Sequence, residues 1–348
     1  WQTYKYLNRK PPVSINRVGL PLGHLLRDRK LLQAPAYRYE CNTLILGGGA
    51  AGLGALWYLV KHNHRDVLLA EGFERNGNNA AYTSSDGLKA PSGAHYLALP
   101  SKESVYVREM LADFGILQPD GSFRETDLVY APESRLLYQD KWVEHLLPKE
   151  DADSKRFFDL IGRMKQAYGD DGKKIFAIPI ALSSVDETWR KLDDLTFKQW
   201  LEQEGYHSPE LLWYLDYCCR DDYGQGIAQV SAFAGLHYFA ARNSAETVLT
   251  WPEGLAHLSE NLRRHADLHE GWQWPSENRI RLEKPASVNA SAVKVKPLSD
   301  GRIEVWLRDN AKGETVAVTA QHVISAMPLM VAARIIEHPE QFGLDIPE

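Results

Sequence analysis

Apolar residues follow two rhythms along this chain, and the switches between them mark its elements. Leu44, Ile45 and Leu46 form a short continuous run that ends at Gly47, as expected of a strand covered on both faces. Ala55, Leu56, Leu59 and Val60 then recur at helical spacing, and Val67, Leu68 and Leu69 make a second run that stops before Glu71. Strand, helix and strand in this order predict a βαβ unit. Helical spacing returns over 101–114, with Ser101 as the expected N-cap and Glu103 and Glu109 on the outer face. It then dominates 152–242, where 154–168, 196–204 and 209–220 each read as a helix. The apolar stretch 231–241, interrupted by His237, reads as a buried helix. A further helix is expected from Leu255 to about His265.

Period-two alternation takes over in 291–295, 302–308 and 315–319, with Gly301 and Gly313 at the turns, which predicts a β-meander. The run Val323-Ile324-Ser325-Ala326-Met327-Pro328 reads as a separate buried strand stopped by proline. The expected fold is α/β. A Rossmann-like domain, discontinuous in sequence and carrying the meander, takes residues 41–110 and 251–348, a mainly helical substrate domain takes 111–250, and residues 1–40 form an N-terminal arm.

The first βαβ unit carries a specific chemistry. Gly47, Gly49 and Gly52 sit in the spacing G-x-G-x-x-G, with Ala50 and Ala51 between the second and third. In this motif the first glycine makes the tight turn, the second lets the backbone approach a pyrophosphate, and the third lets the helix pack on the sheet. The anion then meets a helix N-terminus, where free N–H groups and the helix dipole favour negative charge. Glu71, at the end of the second strand, is placed to accept hydrogen bonds from a ribose diol. A carboxylate there repels a 2′-phosphate, which disfavours NADP.

The bulk properties narrow the alternatives. With 348 residues the chain suits about two domains. A net charge of −6 argues against a nucleic-acid partner, and no apolar run approaches the ~20 residues of a membrane span. Cys41, Cys218 and Cys219 supply neither a disulfide framework nor metal-ligand spacing. The chain begins at Trp1, so export after removal of a leader is one expectation and a cytoplasmic protein the other.

The order of fingerprint, helical insertion, meander and Val-Ile-Ser-Ala-Met-Pro resembles the flavin amine oxidase superfamily over about residues 40–335. The segments Gly93-Ala94-His95-Tyr96 and Pro252-Glu253-Gly254-Leu255 add to the likeness. The resemblance implies that FAD is the cofactor, with its ADP half on Gly47 to Gly52 and its ribose on Glu71. It further implies that Val293 or Val295 covers the adenine, and that Gly93 to Tyr96 pass beside the isoalloxazine.

The sequence departs from the family in three places. Asn76-Gly77-Asn78-Asn79 stands where the family carries a Gly-Gly-x-Arg type sequence, so that Gly77 and its neighbours would meet the pyrophosphate by backbone. Arg334 stands where amine oxidases resemble one another in a lysine, and a permanent cation cannot act as a neutral relay. The family's C-terminal closing segment is not in the sequence, so a fragment, or a second polypeptide that completes the site, is expected.

Within that resemblance the protein orients a substrate C–H bond and excludes competing reactions, while the cofactor does the redox work. His95, Tyr96 and Arg334 are the candidate catalytic residues, His95 because it titrates near neutrality. No metal is expected. Trp213, Tyr214, Tyr217, Tyr223, Tyr238 and Trp251, with Asp216, Asp221 and Asp222, would attract a cationic substrate. The expected function is hydride transfer from a small organic molecule, an amine first, to FAD. The alternatives are oxidation or desaturation of a hydrophobic substrate and a non-catalytic FAD-binding subunit.

Overall fold

The computed structural model describes residues 19–28, 32–130, 135–147, 149–242 and 247–344. The chain divides into two units, one formed by the described residues up to His95 together with those from Pro252 onward, the other by Tyr96–Trp251.

The first unit is built on a six-stranded sheet. In chain order its strands are β1 (Tyr37–Leu46), β2 (Val67–Ala70), β5 (Ala286–Val288), β6 (Ala290–Pro297), β7 (Ile303–Asp309) and β8 (Thr315–Ser325), while β3 (Ala81–Thr83) and β4 (Lys89–Pro91) form a hairpin apart from it. The order across the sheet is β5-β2-β1-β8-β7-β6. The first four strands run parallel and the last three form the meander, joined through β8.

The burial of β1 explains its sequence. Its first six residues alternate, with Tyr39 and Cys41 inward, whereas the last four are all buried. The change comes where β2 joins: Thr43 to Leu46 pair with Val67 to Ala70 on one side and with His322 to Ser325 on the other. A strand flanked on both edges and covered on both faces requires an unbroken apolar run.

The meander is present, but the expected separate strand after it is not. β8 is one strand of 11 residues whose first half pairs with β7 and which pairs with β1 along its length. Gln321 and His322 are exposed and break the apolar pattern in the middle, which makes one strand look like two.

Among the described residues this unit has the helices α1 (Leu20–Arg27), α2 (Ala50–Lys61), α3 (Ala256–His265) and α4 (Leu329–Ile335). α2 buries Gly52, Leu53, Leu56, Trp57 and Val60, the face that the helical spacing predicted.

The second unit contains the helices Ala152–Met164, Phe197–Gln203, Pro209–Tyr223 and Ala232–Ala240. Asp151 and Thr196 cap the first two with reciprocal capping boxes, and Ser208 and Ser231 cap the others. Phe157, fully buried, packs edge-on to Tyr206 and Phe239. The unit also holds a small antiparallel sheet of Tyr96–Ala98, Thr247–Thr250 and Leu128–Tyr130, and a hairpin of Leu136–Tyr138 with Lys141–Val143. Strands of three or four residues are too short to show a period, so no spacing of apolar residues announces them.

The helix expected from Ser101 starts later, at Val105 after Ser104. The hydroxyls of Ser101 and Ser104 donate to the Ile178 carbonyl instead of capping.

Candidate dinucleotide site

The site grows from the end of β1. Gly47 turns the chain at φ 112, and α2 begins after Gly49. A helix's first N–H groups have no acceptor within the helix, and among the described residues no side chain caps this end of α2. Gly47 to Ala51 line a cavity of about 990 Å³, so the α2 N-terminus opens into it. The remaining walls are Ala70 to Glu74, Gly77 to Ala80, Ser92 and Gly93, Ser291 and Ala292, and Ala326 to Pro328 with Val331. Leu20, Leu22, Gly23 and Leu26 of α1 also line it, a contribution that the aperiodic text of residues 1–40 did not announce.

Glu71 stands in this wall and is held firmly. Arg263, on α3 and only 3% exposed, donates from Nη1 to Oε1 at 2.6 Å and from Nη2 to Oε2 at 2.7 Å. Its Nε donates to Asn76 Oδ1 at 2.9 Å. Arg75 lies beside this pair and donates to Glu260 at 2.8 Å and to Glu270 at 2.9 Å. The hydrogen bonds from Arg75 hold the Glu270 carboxyl below its ordinary range against burial. Burial pushes the Glu260 carboxyl up, but hydrogen bonds from Arg75 and Asn76 outweigh it and the net direction is down. The same two glutamates raise the Arg75 guanidinium.

The departure at Asn76-Gly77-Asn78-Asn79 has a structural use. Asn76 adopts φ 64, and its side chain donates to Glu260 at 2.8 Å while accepting from Arg263. Asn79 donates to Ser259 at 3.0 Å, so both asparagines tie the loop to α3. Asn78 O accepts from Ala94 N at 2.8 Å, and a side chain at Gly93 would collide with that carbonyl.

Of the residues expected to bind the cofactor, Gly47, Gly49, Ala50, Ala51, Glu71, Gly77 and Gly93 line the cavity. Gly52 lies behind it, packed on Gly47. Ala94 lies outside the wall, its backbone bonded to Asn78 and Leu255. Val293 is buried, and the wall is made by Ser291 and Ala292 instead. The pairing of β6 with β7 shifts register between Ala292 and Lys294. Strict alternation cannot anticipate such a shift.

The candidate catalytic residues are not gathered in this cavity. His95 places Nδ1 at 3.4 Å from its neighbour Gly93 O. Arg334 folds back on α4, donating from Nη1 to Met330 O at 2.6 Å. Tyr96 is in the second unit, 47% exposed, on a strand paired with Thr250.

The aromatic and acidic residues of the second unit are largely engaged in structure. Tyr214, Tyr217 and Tyr238 pack against its core. Burial pushes Tyr223 up to about 12 and raises Tyr214 and Tyr238 as well. Trp251 donates to Asp127 at 2.9 Å. Asp216 accepts from Arg220 at 2.9 Å and from Ile227 N at 3.0 Å, and Asp222 pairs with Arg242 at 2.5 Å. Among the described residues no helix is long and apolar enough to cross a membrane, and no group of three His, Cys, Asp or Glu is arranged to hold a metal.

Residues 45–114 match the family described as an NAD(P)-binding Rossmann-like domain. The chain thus carries a Rossmann-like nucleotide-binding fold. Among solved structures it is similar to the CLA-producing fatty acid isomerase from P. acnes, at 17% identity and a TM-score of 0.57, over 87% of this chain and 63% of that one. It is likewise similar to putrescine oxidase bound to putrescine, at 15% identity and TM-score 0.55, over 86% of this chain and 61% of that one. An oxidoreductase from Methanosarcina mazei matches at 14% identity and TM-score 0.50, over 85% and 61%. At these identities the likeness is one of fold. The chain spans less than two thirds of the length of each. No curated protein matches the sequence.

Proposed function

We propose that this chain binds FAD and serves an oxidoreductase that takes a hydride from a small organic substrate. The observation that carries the reading is the uncapped N-terminus of α2 opening into a cavity of about 990 Å³ that also contains Glu71. That volume is at the upper end of the ~300–1,000 Å³ usual for small-molecule sites, which suits a dinucleotide. The residues fit the group: N–H groups of Gly49 to Ala51 for the pyrophosphate, Glu71 for the ribose and the small residues Ser291 and Ala292 beside the adenosine. When bound, the flavin supplies the hydride acceptor. The protein's part is to fix the dinucleotide, to exclude water and to orient the substrate. His95 is proposed as a proton acceptor, Tyr96 as an aromatic wall and Arg334 as a fixed positive charge.

An amine is the first substrate class to test, in view of the likeness to putrescine oxidase. The engagement of Asp216 and Asp222 with arginines removes two of the three acids expected to attract an ammonium group, and this favours a hydrophobic substrate as the second reading. An absorption spectrum and the mass of any released chromophore test the cofactor. Peroxide release with putrescine and longer polyamines, compared with turnover of unsaturated fatty acids, tests the substrate. A colourless protein that cannot be reconstituted with FAD removes the proposal.

A further inference from the structure

We propose that Arg263 is a positioning residue that sets ribose specificity: it aims the Glu71 carboxylate at the adenosine 2′-hydroxyl and, through Asn76, fixes the neighbouring turn. This inference rests on the reading of the cavity as an FAD site.

Arg263 and Glu71 are 192 residues apart in sequence and meet as a two-pronged pair at 2.6 and 2.7 Å. Such a pair fixes the plane of the carboxylate as well as its place. A carboxylate has about four lone-pair sites, and the arginine takes two of them, leaving the others for hydroxyl donors. Glu71 Oε2 also lies close to Gly48, where a side chain would run into it. Arg263 also places Nε on Asn76 and Nη1 at 3.4 Å from Glu270, so the guanidinium is committed on several sides.

The charges explain which ligand the pair selects. Among the described residues Glu71, Glu260 and Glu270 pair with two cations, Arg75 and Arg263, each bonded to two of those acids. At these acids a 2′-phosphate would meet surplus negative charge, with both guanidiniums already engaged. A 2′-hydroxyl would meet a ready acceptor.

The alternative is that Arg263 only neutralises a half-buried acid. The two roles separate in a calorimetric comparison of ADP with 2′-deoxy-ADP on flavin-depleted protein, with FAD binding measured alongside. The wild type is expected to bind ADP about tenfold or more tighter than the deoxy analogue. Arg263→Gln should bring that ratio to within about twofold, Glu71→Gln should do the same, and the double variant should lose no further selectivity. Arg263→Lys, which retains charge without the fork, should give an intermediate ratio and serves if the glutamine variant does not fold. Undiminished selectivity in the folded Arg263 variants, even with weaker binding of both nucleotides, overturns the proposal and leaves the FAD reading standing. Equal binding of the two nucleotides by a wild type that does take up FAD also overturns it. A wild type that binds neither FAD nor ADP removes the FAD reading itself.

Discussion

Gly52 sits directly against the carbonyl of Gly47, so close that a Cβ at position 52 would overlap that oxygen. This contact seats the start of α2 on the turn that leaves β1, and with it the N–H groups that face the cavity. Two glycines of the same helix therefore have opposite expectations. Gly52→Ala should cost about 1–3 kcal/mol through overpacking and abolish FAD uptake. Gly54, where an added Cβ meets nothing within 4 Å, should gain about 0.5–1 kcal/mol as alanine, because glycine inside a helix is entropically unfavourable. Denaturant midpoints of the two variants check this, and equal effects would contradict the packing argument.

The thiols give a second expectation. Burial pushes Cys41 and Cys219 up to about 12 and also raises Cys218. Since the thiolate is the reactive form, native protein at pH 8 should show no fast-reacting cysteine towards a thiol reagent. All three should react once it is unfolded.

Arg75 makes part of the stability depend on pH. Glu270 and Glu260 have folded pKa values below the ordinary 4.5. In the window at and below that value the unfolded chain binds more protons, so stability is present above it and is lost as pH falls. Arg75→Gln removes the main cause. It should lower stability at pH 7 and flatten the decline towards pH 4, read as urea midpoints at the two pH values. A decline as steep as in the wild type would show that Arg75 is not responsible.

Helix α1 is expected to matter for binding rather than for the sheet. It has no fully buried residue, yet four of its positions line the cavity. Removal of residues 1–28 should weaken FAD binding severalfold in a fluorescence titration and leave the thermal transition close to that of the full chain. Unchanged affinity would mean that α1 is not part of the binding wall.

Much of the first unit is legible in the sequence because its constraints are local. An apolar run, a glycine spacing and an acid at the strand end each answer to a neighbour within a few residues. The same holds for the meander turns, where Gly301 and Gly313 take φ 84 and 77. The misreading at Ser101 has a distant partner as its cause. Ser101 has the chemistry of a cap, but the Ile178 carbonyl competes for its hydroxyl.

The sequence by itself determined the βαβ unit, the dinucleotide fingerprint and the helical character of residues 152–242, since each follows from backbone geometry and periodic burial. Only the tertiary structure decided that β8 is one strand joining the meander to the parallel sheet, that α1 walls the cavity and that Arg263 holds Glu71. Those relations depend on which distant segments share an edge, a cavity or a charge, and residue spacing along a chain carries no record of such partners.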